Sequence, residues 1–308
     1  MAVASSDRMT RLCTLEGSNT REIAALSGHS GPVERVRFHP NQDALLCTAA
    51  SDSTVRLWDV RTNSQKAVGQ IEVSKGPSAT DASWSPAANS AILAITERDG
   101  SIRLYDTRKV SMPASSSGGG RSNNNSALLK VFHSSNSVVE ACVFSPAGRH
   151  LVAAMTTNGL GGLNIWELES NDTSHKYEYP AHTGPIYSMA FSPDGTRFAT
   201  GGSDAIVGLW EVESMVCTHT IDRFIKFTRS VSFSHDSKLL ASSSEEDGID
   251  LASAETGEAV GKVSLGRRGG ADEISFHPKF HVLACARCPV MGGTPPAVTV
   301  AKINILSQ

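Results

Sequence analysis

Residues 28–59, GHSGPVERVRFHPNQDALLCTAASDSTVRLWD, contain two short patterns that recur along the chain. The first pattern is an apolar residue, a polar residue, an aromatic residue, Ser or His, and usually Pro, as in Val36-Arg37-Phe38-His39-Pro40. The second pattern closes the stretch as Thr54-Val55-Arg56-Leu57-Trp58-Asp59. Recurrence of both patterns at a regular spacing is the signature of a protein assembled from one repeated unit.

The first pattern occurs six times, at residues 36–40, 82–86, 142–146, 189–193, 231–235 and 274–278. Successive copies are 46, 60, 47, 42 and 43 residues apart. The long step contains a run rich in Ser, Gly and Asn between Ser111 and Asn125. Such a composition cannot build a packed core, so the sequence predicts a disordered loop inserted over residues 110–127.

The second pattern follows each copy of the first, at residues 54–59, 101–106, 163–167 and 206–211, with degenerate copies at 249–252 and 298–301. Short runs with a period of two lie between the patterns and are separated by Gly, Pro, Asn and Asp, which indicates antiparallel strands. An all-β chain with a repeat of about 43 residues and four strands per repeat is typical of a β-propeller, and each repeat is one blade.

Gly28-His29 with Trp58-Asp59, and Ala181-His182 with Trp210-Glu211, resemble the WD-repeat family. Blades of that family carry a buried, hydrogen-bonded set of His, Ser or Thr, Asp and Trp, in which the four polar groups satisfy one another. The resemblance implies two such structural tetrads: His29, Thr48, Asp52 and Trp58 in unit one, and His182, Thr200, Asp204 and Trp210 in unit four. The other units keep only parts of the set; unit two has Asp99 and Tyr105 but Ile95 at the hydroxyl position.

Two further strand-like runs, residues 11–16 and 21–26, precede the first repeat. They resemble the third and fourth strands of a blade whose first two strands are missing. The sequence therefore predicts a single propeller domain over residues 11–308, with six recognisable units and an N-terminal half-blade, after a disordered segment at residues 1–10. The family usually has seven blades, so either the start is truncated, which we favour, or the second run closes a six-bladed ring.

Composition excludes several classes of protein. The formal net charge is −3, so no strong positive field exists to hold nucleic acid. No apolar run approaches the roughly 18 residues of a membrane span, and the start of the sequence lacks the apolar stretch of a secretory signal. The 6 cysteines are scattered, which favours an intracellular, reducing compartment over a disulfide framework.

Candidate chemistry is sparse. Cys285, Cys288, His277 and His281 are residue types that bind zinc, but strand residues three apart face opposite sides of a sheet, so the two cysteines would diverge. The two tetrad histidines could be proposed as general bases, although their Thr, Asp and Trp neighbours favour a structural role. No nucleophile elbow, phosphate loop or paired-carboxylate motif is present in the sequence. We therefore predict no catalytic residue, no metal site, no cofactor and no enzymatic activity.

One set of positions points to partner binding. The residue four places before each pattern aromatic lies near one end of the innermost strand, and in WD-repeat proteins positions like these line the partner-binding face. They are Glu34, Thr80, Glu140, Tyr187, Arg229 and Asp272, joined by Ser51, Arg98 and Ser203 just before the loop aspartates or their equivalents. Three acids against one base in the main set favour a protein partner over an RNA backbone.

Residues 198–217 and 232–252 closely resemble the THO complex subunit 3 family, including Ser-His-Asp at 234–236 and the missing Trp after Ile249-Asp250-Leu251. The resemblance implies a nuclear, non-catalytic scaffold of the THO/transcription-export complex, coupling transcription to messenger-RNP assembly and mRNA export. Its expected partners are the large helical THO subunits and, indirectly, an RNA helicase and an export adaptor. Direct RNA binding, membrane binding and a small-molecule substrate are not expected.

Two alternatives stay open. A different WD-repeat adaptor, such as a histone-tail reader or a ubiquitin-ligase substrate adaptor, would need an aromatic cage or an arginine-lined surface, for which Tyr187 and Arg229 are the candidates. An enzyme built on a propeller would need convergent carboxylates or histidines, for which Glu34, Glu140 and Asp272 are the candidates.

Overall fold

The computed structural model of the chain describes residues 1–16, 19–62, 66–73, 79–88, 90–97, 99–112, 126–133, 137–169, 177–265, 270–287 and 298–302. The chain divides into two compact units, residues 1–16, 20–157 and 164–178 in the first and residues 17–19, 158–163 and 179–308 in the second. A 3-10 turn lies at Thr107–Lys109, and no helix within the described ranges has the length and hydropathy to cross a membrane.

The first compact unit contains three antiparallel sheets whose strands follow chain order. The strands are β1 (Ala2–Ala4), β2 (Thr10–Glu16) and β3 (Asn19–Leu26); β4 (Val33–His39), β5 (Gln42–Ala50), β6 (Thr54–Asp59) and β7 (Gly69–Glu72); and β8 (Ala79–Trp84), β9 (Ile92–Glu97), β10 (Ser101–Asp106) and β11 (Leu128–His133). The first sheet has three strands, and the other two have four each.

The next four-stranded sheet is formed by β12 (Val138–Phe144), β13 (His150–Thr157), β14 (Leu160–Glu167) and β15 (Tyr177–His182). The second unit continues with β16 (Ile186–Phe191), β17 (Arg197–Gly202), β18 (Val207–Glu211) and β19 (Val216–Ile221); β20 (Thr228–Phe233), β21 (Leu239–Ser244), β22 (Ile249–Ser253) and β23 (Ala259–Val263); and β24 (Ala271–Phe276), β25 (Val282–Arg287) and β26 (Val298–Lys302). Its sheets again follow chain order.

Each repeat predicted from the sequence is one sheet. The first pattern ends the first strand of every sheet from β4 onward, and the second pattern lies on the third strand. The prediction of an all-β chain with six propeller blades is therefore confirmed. The agreement has a simple cause: short runs bounded by turn residues form strands, and the second strands, such as β17 and β21, are buried on both faces because sheets pack face to face.

The core lies between neighbouring sheets and combines aliphatic with aromatic side chains. In the first unit, Val55, Leu57 and Ile71 pack in one cluster with Leu93 and Ile95 of the next sheet. Each of these side chains is at most 3% exposed. Burial of a side chain of this size stabilises the fold by about 1.5–3 kcal/mol.

Serine side chains also join successive sheets of the second unit. Ser188 Oγ accepts a hydrogen bond from the backbone N–H of Val231 at 3.1 Å. Ser230 Oγ and Ser232 Oγ accept from the backbone N–H groups of Ile274 and Phe276 at 3.2 and 3.0 Å. These bonds satisfy N–H groups of β20 and β24 outside the sheet ladders, so each first strand is held by the preceding sheet.

The N-terminus differs from its prediction. Ala2–Ala4 of the segment predicted to be disordered form β1, which pairs with β2 from Ala2 opposite Leu12 to Ala4 opposite Thr10. The predicted two-stranded half-blade is therefore a three-stranded sheet. The cause is burial: Leu12 clusters with Leu46 and Trp58 of the neighbouring sheet, and Ala2 covers that cluster.

Two other predictions about organisation are not settled by the described residues. The predicted inserted loop over 110–127 falls mainly on residues 113–125, which lie outside the described ranges. The prediction of a single domain over residues 11–308 stays a prediction.

Candidate partner-binding surface

The four tetrad residues of unit one converge on the hydroxyl of Thr48. Thr48 Oγ1 lies 2.7 Å from His29 Nε2 and accepts a hydrogen bond from Trp58 Nε1 at 2.8 Å. His29 Nδ1 lies 3.0 Å from Asp52 Oδ2, so the ring donates to the carboxylate and accepts from the threonine. A chain of mutually satisfied groups thus runs from Trp58 to the loop between β5 and β6.

Asp52, the last group of this hydrogen-bonded series, is held as an anion. Burial favours the neutral form, but His29, Thr54 and the backbone N–H of Ser30 all donate to the carboxylate of Asp52 and hold its pKa well below its usual range. The charged Asp52 therefore fixes the loop that precedes β6.

Unit four builds the same arrangement. His182 Nδ1 lies 2.9 Å from Asp204 Oδ1, and His182 Nε2 lies 2.8 Å from Thr200 Oγ1. Trp210 Nε1 donates to Thr200 Oγ1 at 3.0 Å. In both units the hydroxyl that the histidine contacts is fully buried, Thr48 and Thr200 each at 0% exposure, so no substrate can reach it, and this favours a structural role for the histidine.

A glycine two residues after each histidine completes the set, and the sequence analysis missed it. A Cβ on Gly31 would lie 2.5 Å from Ser51 Oγ and 2.9 Å from the backbone N of Asp52, and one on Gly184 would lie 2.2 Å from Ser203 Oγ. The repeated His-x-Gly-Pro at 29–32 and 182–185 is the signal that could have revealed this close approach.

Two incomplete units contain ion pairs with a buried carboxylate. In unit two, Arg103 Nε lies 2.9 Å from Glu97 Oε1, and the Glu97 side chain is only 1% exposed. In unit five, Arg223 donates through Nε and Nη2 to the carboxylate of Asp250. Ala252 occupies the position of the missing Trp there and is fully buried. Sequence reasoning missed both pairs because a charged residue in a strand is ordinarily assigned to the exposed face.

Unit three keeps the tryptophan but not its acceptor. Trp166 is buried and packs against Phe132 with ring centroids 5.3 Å apart. Ala153 pairs with Cys142, the register at which Thr200 pairs with Met189 in unit four. Trp166 Nε1 is consequently buried without a hydrogen-bond partner among the described residues.

The six main candidates for the partner-binding face share one backbone feature. In each repeat sheet the register between the first and second strands shifts by one residue, which leaves one residue of the first strand bulged. The bulged residues are Glu34, Thr80, Glu140, Tyr187, Arg229 and Asp272. A bulge turns its side chain out of the regular alternation, which suits a residue that contacts something beyond the sheet.

These positions are not equally available. Glu34 and Asp272 are exposed, and Glu140 is half-buried. Thr80 instead hydrogen-bonds Thr96 Oγ1 at 2.7 Å and the carbonyl of Val139 at 3.0 Å, which is a structural role. Of the flanking loop candidates, Ser51 is exposed and Ser203 is half-buried, and both pack against the glycines described above. Arg98 lies outside the described residues.

Arg229 and Tyr187 form the centre of the most developed surface. The Arg229 guanidinium lies 5.3 Å from the Tyr187 ring centroid and 5.8 Å from that of Phe227, and it pairs with Glu245. Phe227 is 43% exposed and Ile225 is 92% exposed. We call Tyr187, Ile225, Phe227, Arg229 and Glu245 the aromatic–arginine patch. Arg, Tyr and Phe are enriched at protein interfaces, and Arg and Tyr are also enriched among the residues that dominate binding energy.

The backbone that presents this patch is fixed. Glu246 Oε1 accepts hydrogen bonds from the backbone N–H groups of Ile225 and Lys226 at 2.5 and 2.8 Å. Phe224 is buried in the core beneath the segment. The sequence signal that the analysis missed is the apolar run Phe224-Ile225-Lys226-Phe227, which stands where the complete units have His-x-Gly-Pro.

The described members of the cysteine and histidine set weighed for zinc have separate surroundings. Cys285 is buried in the core cluster of the last sheet, and Cys288 lies outside the described residues. His277 Nδ1 accepts a hydrogen bond from the backbone N–H of Lys279 at 3.0 Å. His281 instead pairs with Asp236 of the preceding sheet.

Cysteine nucleophiles are likewise disfavoured where the chain buries them. Burial raises the pKa of the Cys47 thiol to about 12 and that of Cys142 well above its usual value. Both thiols are therefore protonated at neutral pH and are poor nucleophiles.

Comparison with known proteins matches the repeat analysis. The family described as "WD domain, G-beta repeat" matches residues 20–59 and 173–211, which contain the two complete tetrads. THO complex subunit 3 of Arabidopsis thaliana is 28% identical over 293 residues, covering 93% of this chain and 82% of that protein.

Other relatives cover less of their own length. The WD repeat-containing protein AAC3 of Dictyostelium discoideum is 29% identical over 71% of this chain, which spans 41% of that protein. The mitotic checkpoint protein bub-3 of Caenorhabditis elegans is 25% identical over 78% of this chain and 66% of that protein.

Proposed function

The chain belongs to the WD-repeat family, and from that premise we propose that it is a non-catalytic scaffold subunit of the THO complex. In this role it acts in the nucleus, docks on the large helical subunits of the complex, and helps to couple transcription to messenger-RNP assembly and mRNA export. Its links to an RNA helicase and an export adaptor are indirect.

One observation carries the proposal: the similarity to THO complex subunit 3 extends over nearly the full length of both chains. The match to protein AAC3 has similar identity but spans less than half of that protein. What distinguishes the THO match is that this chain spans 82% of that protein, against 41% of protein AAC3 and 66% of bub-3.

The aromatic–arginine patch supports a protein partner. Its two exposed apolar side chains, Ile225 and Phe227, lie on backbone already ordered by Glu246, so binding costs little additional conformational entropy. The guanidinium of Arg229, which lies over the Tyr187 ring and pairs with Glu245, holds the side chains of the patch in place. Apolar residues around one arginine suit a helical protein surface better than a phosphate backbone.

The same geometry weighs against a methyl-lysine reader. Tyr187 and Phe227 have ring centroids 6.1 Å apart, but Arg229 of the chain itself lies over both rings. The cation position of an aromatic cage is therefore already filled. A different WD-repeat adaptor, including a ubiquitin-ligase subunit, remains the alternative outcome of the experiment below.

The test is affinity purification of the C-terminally tagged chain from nuclease-treated nuclear extract, with the copurifying proteins identified and quantified. We expect the large THO subunits in amounts close to that of the tagged chain. Enrichment of a different complex, with the chain soluble and the THO subunits absent, would overturn the assignment and leave only the propeller.

A matched pair of variants tests the surface. Ile225→Asp places a charge on the patch, and Val260→Asp places one on another exposed apolar residue of the same unit, 53% exposed. We expect recovery of the THO subunits to fall at least about tenfold for Ile225→Asp and to stay unchanged for Val260→Asp. Equal recovery with both variants would remove the patch from the interface while leaving the assignment intact.

A further inference from the structure

A cluster of two histidines and one aspartate lies between the last two sheets of the second unit, away from the aromatic–arginine patch residues. His235 and Asp236 are in the turn between β20 and β21, and His281 directly precedes β25. One potential ligand atom from each of the three residues lies within 4.8 Å of the other two. The proposed scaffold role does not use this cluster.

The corresponding turn of unit four shows that the fold does not require the histidine. There the sequence is Ser-Pro-Asp, and Ser192 Oγ donates to Asp194 Oδ1 at 2.6 Å. In unit five Ser234 Oγ donates to Asp236 Oδ1 at the same distance, 2.6 Å. The aspartate shapes the turn in both units. His235 occupies the position of Pro193, and the geometry of the turn does not require a histidine there.

The neighbouring sheet differs between the two turns in the same way. The backbone N–H of Asp194 donates to Ser237 Oγ of the next sheet at 3.1 Å. Asp236 instead faces an imidazole of its next sheet, with His281 Nε2 3.3 Å from Asp236 Oδ2. The contact between the β20–β21 turn and the next sheet therefore contains two histidines. The equivalent contact, between the β16–β17 turn and its next sheet, contains none.

The carboxylate of Asp236 is oriented by hydrogen bonds in the way that metal-binding carboxylates are. Asp236 Oδ1 is engaged by Ser234 and by the backbone N–H of Lys238, which leaves Oδ2 directed toward His281. Such outer hydrogen bonds orient a coordinating carboxylate. The rings of His235 and His281 meet edge to face with centroids 4.6 Å apart, and His235 Nδ1 is buried without a hydrogen-bond partner in the described part of the chain.

We propose that His235, Asp236 and His281 bind a divalent transition cation of the zinc class, with a further coordination position left for water or another ligand. Two imidazoles and one carboxylate suit Zn²⁺, Co²⁺ or Ni²⁺ and disfavour Ca²⁺ and Mg²⁺, which require oxygen ligands. Ligands of a tetrahedral zinc ion lie about 3.3 Å from one another, given metal–ligand distances of roughly 2.0–2.1 Å. The distance between His281 Nε2 and Asp236 Oδ2 already meets this requirement.

An ion can reach the site. The side chains of His281 and Asp236 are 28% and 26% exposed, so the pair is neither sealed in the core nor free in solvent. A bound ion would join β20–β21 to β25 through side chains and would stabilise the folded state in proportion to its affinity.

The experiment is a titration of the untagged chain, first stripped with a chelator, with Co²⁺ followed by its visible absorption and with Zn²⁺ followed by calorimetry. We expect binding of one equivalent and a rise in melting temperature with Zn²⁺. A chain that binds no Co²⁺ or Zn²⁺ above the level of the variants below would overturn the proposal.

Two variants and a control complete the test. His235→Pro restores the residue that unit four carries in this turn, and His281→Gln removes the second imidazole while keeping a polar side chain. Each should weaken binding at least about tenfold. His219→Ala, at an exposed histidine on β19 of the second compact unit, should bind the metal as the parent chain does. If His235→Pro or His281→Gln binds with unchanged affinity, the ligand assignment is wrong.

Discussion

Thr48 shows how one hydroxyl organises a buried tetrad. It donates to His29 Nε2 and accepts from Trp58 Nε1, so its loss would leave two buried polar groups unsatisfied. Thr200 has the same two contacts in unit four. The tryptophan of unit three lacks such a hydroxyl, and this difference within one chain allows the bond to be measured.

Replacing Trp58 and Trp166 separately by Phe isolates the value of the indole hydrogen bond. Trp58→Phe should lower the free energy of unfolding by about 1–3 kcal/mol more than Trp166→Phe, because only Trp58 loses a hydrogen bond and strands its acceptor. Both variants lose similar buried volume, so each controls for the other. Denaturant unfolding measures the difference; equal losses would mean that the tetrad bond contributes little.

The anionic form of Asp52 gives the tetrad a pH dependence. The pKa of Asp52 is lowered in the folded protein, so its contribution is fully present above the ordinary aspartate pKa of about 3.9 and declines as the pH falls below it. Asp52→Asn should therefore be less stable than the parent at pH 7, and the gap should narrow by pH 3. Urea unfolding at both values checks this, and a gap that is constant with pH would contradict it.

Residue identity predicted the tetrads but not the bulges or the ion pairs. The types and spacing of His29, Thr48, Asp52 and Trp58 are sufficient once the repeat is recognised. A bulge at Arg229 depends on which residues of two strands are paired, and this is decided by packing across the whole sheet. The ion pair between Glu97 and Arg103 likewise depends on which strand residues are neighbours in the folded sheet.

At the scale of elements, the three-stranded first sheet marks the limit of pattern analysis. A strand of three residues such as β1 carries too little alternation to be recognised from sequence. It forms because it pairs with β2 and because Ala2 packs on the buried cluster that contains Leu12. The six repeat sheets are predictable because each has two patterns and several alternating runs. Tertiary contacts decide the short elements, and periodicity decides the long ones.

The loop that joins β5 to β6 should be sensitive to a single methyl group. Gly31→Ala would place a Cβ 2.9 Å from the backbone N of Asp52, and backbone cannot move aside as a flexible side chain can. We expect this variant to lower the free energy of unfolding by about 1–3 kcal/mol. Thermal or denaturant unfolding provides the measurement.

Gly261→Ala is the matched control for this loop. A Cβ at Gly261 on β23 has nothing within 4 Å, so the substitution should be neutral or slightly stabilising. Similar destabilisation by both variants would show that the close approach at Gly31 is not what restricts the loop.

For the whole molecule, the charge balance predicts weak affinity for nucleic acid. A chain with net charge −3 releases few counterions on binding a phosphate backbone. We expect no saturable binding of a labelled single-stranded RNA below about 100 μM protein at physiological salt. Fluorescence anisotropy checks this, with a basic RNA-binding protein as positive control. Micromolar binding with a steep salt dependence would instead place RNA among the direct ligands.

The serine hydroxyls that join β16, β20 and β24 have a consequence for degradation. A processive protease that pulls the chain from its C-terminal end must break the bonds of Ser230 and Ser232 to β24 together with the ladder of that sheet. The same obstacle recurs at Ser188 when β20 is reached. The protease should therefore pause at the boundaries between sheets. Partial degradation should yield truncated fragments that end near the loops before β24 and β20.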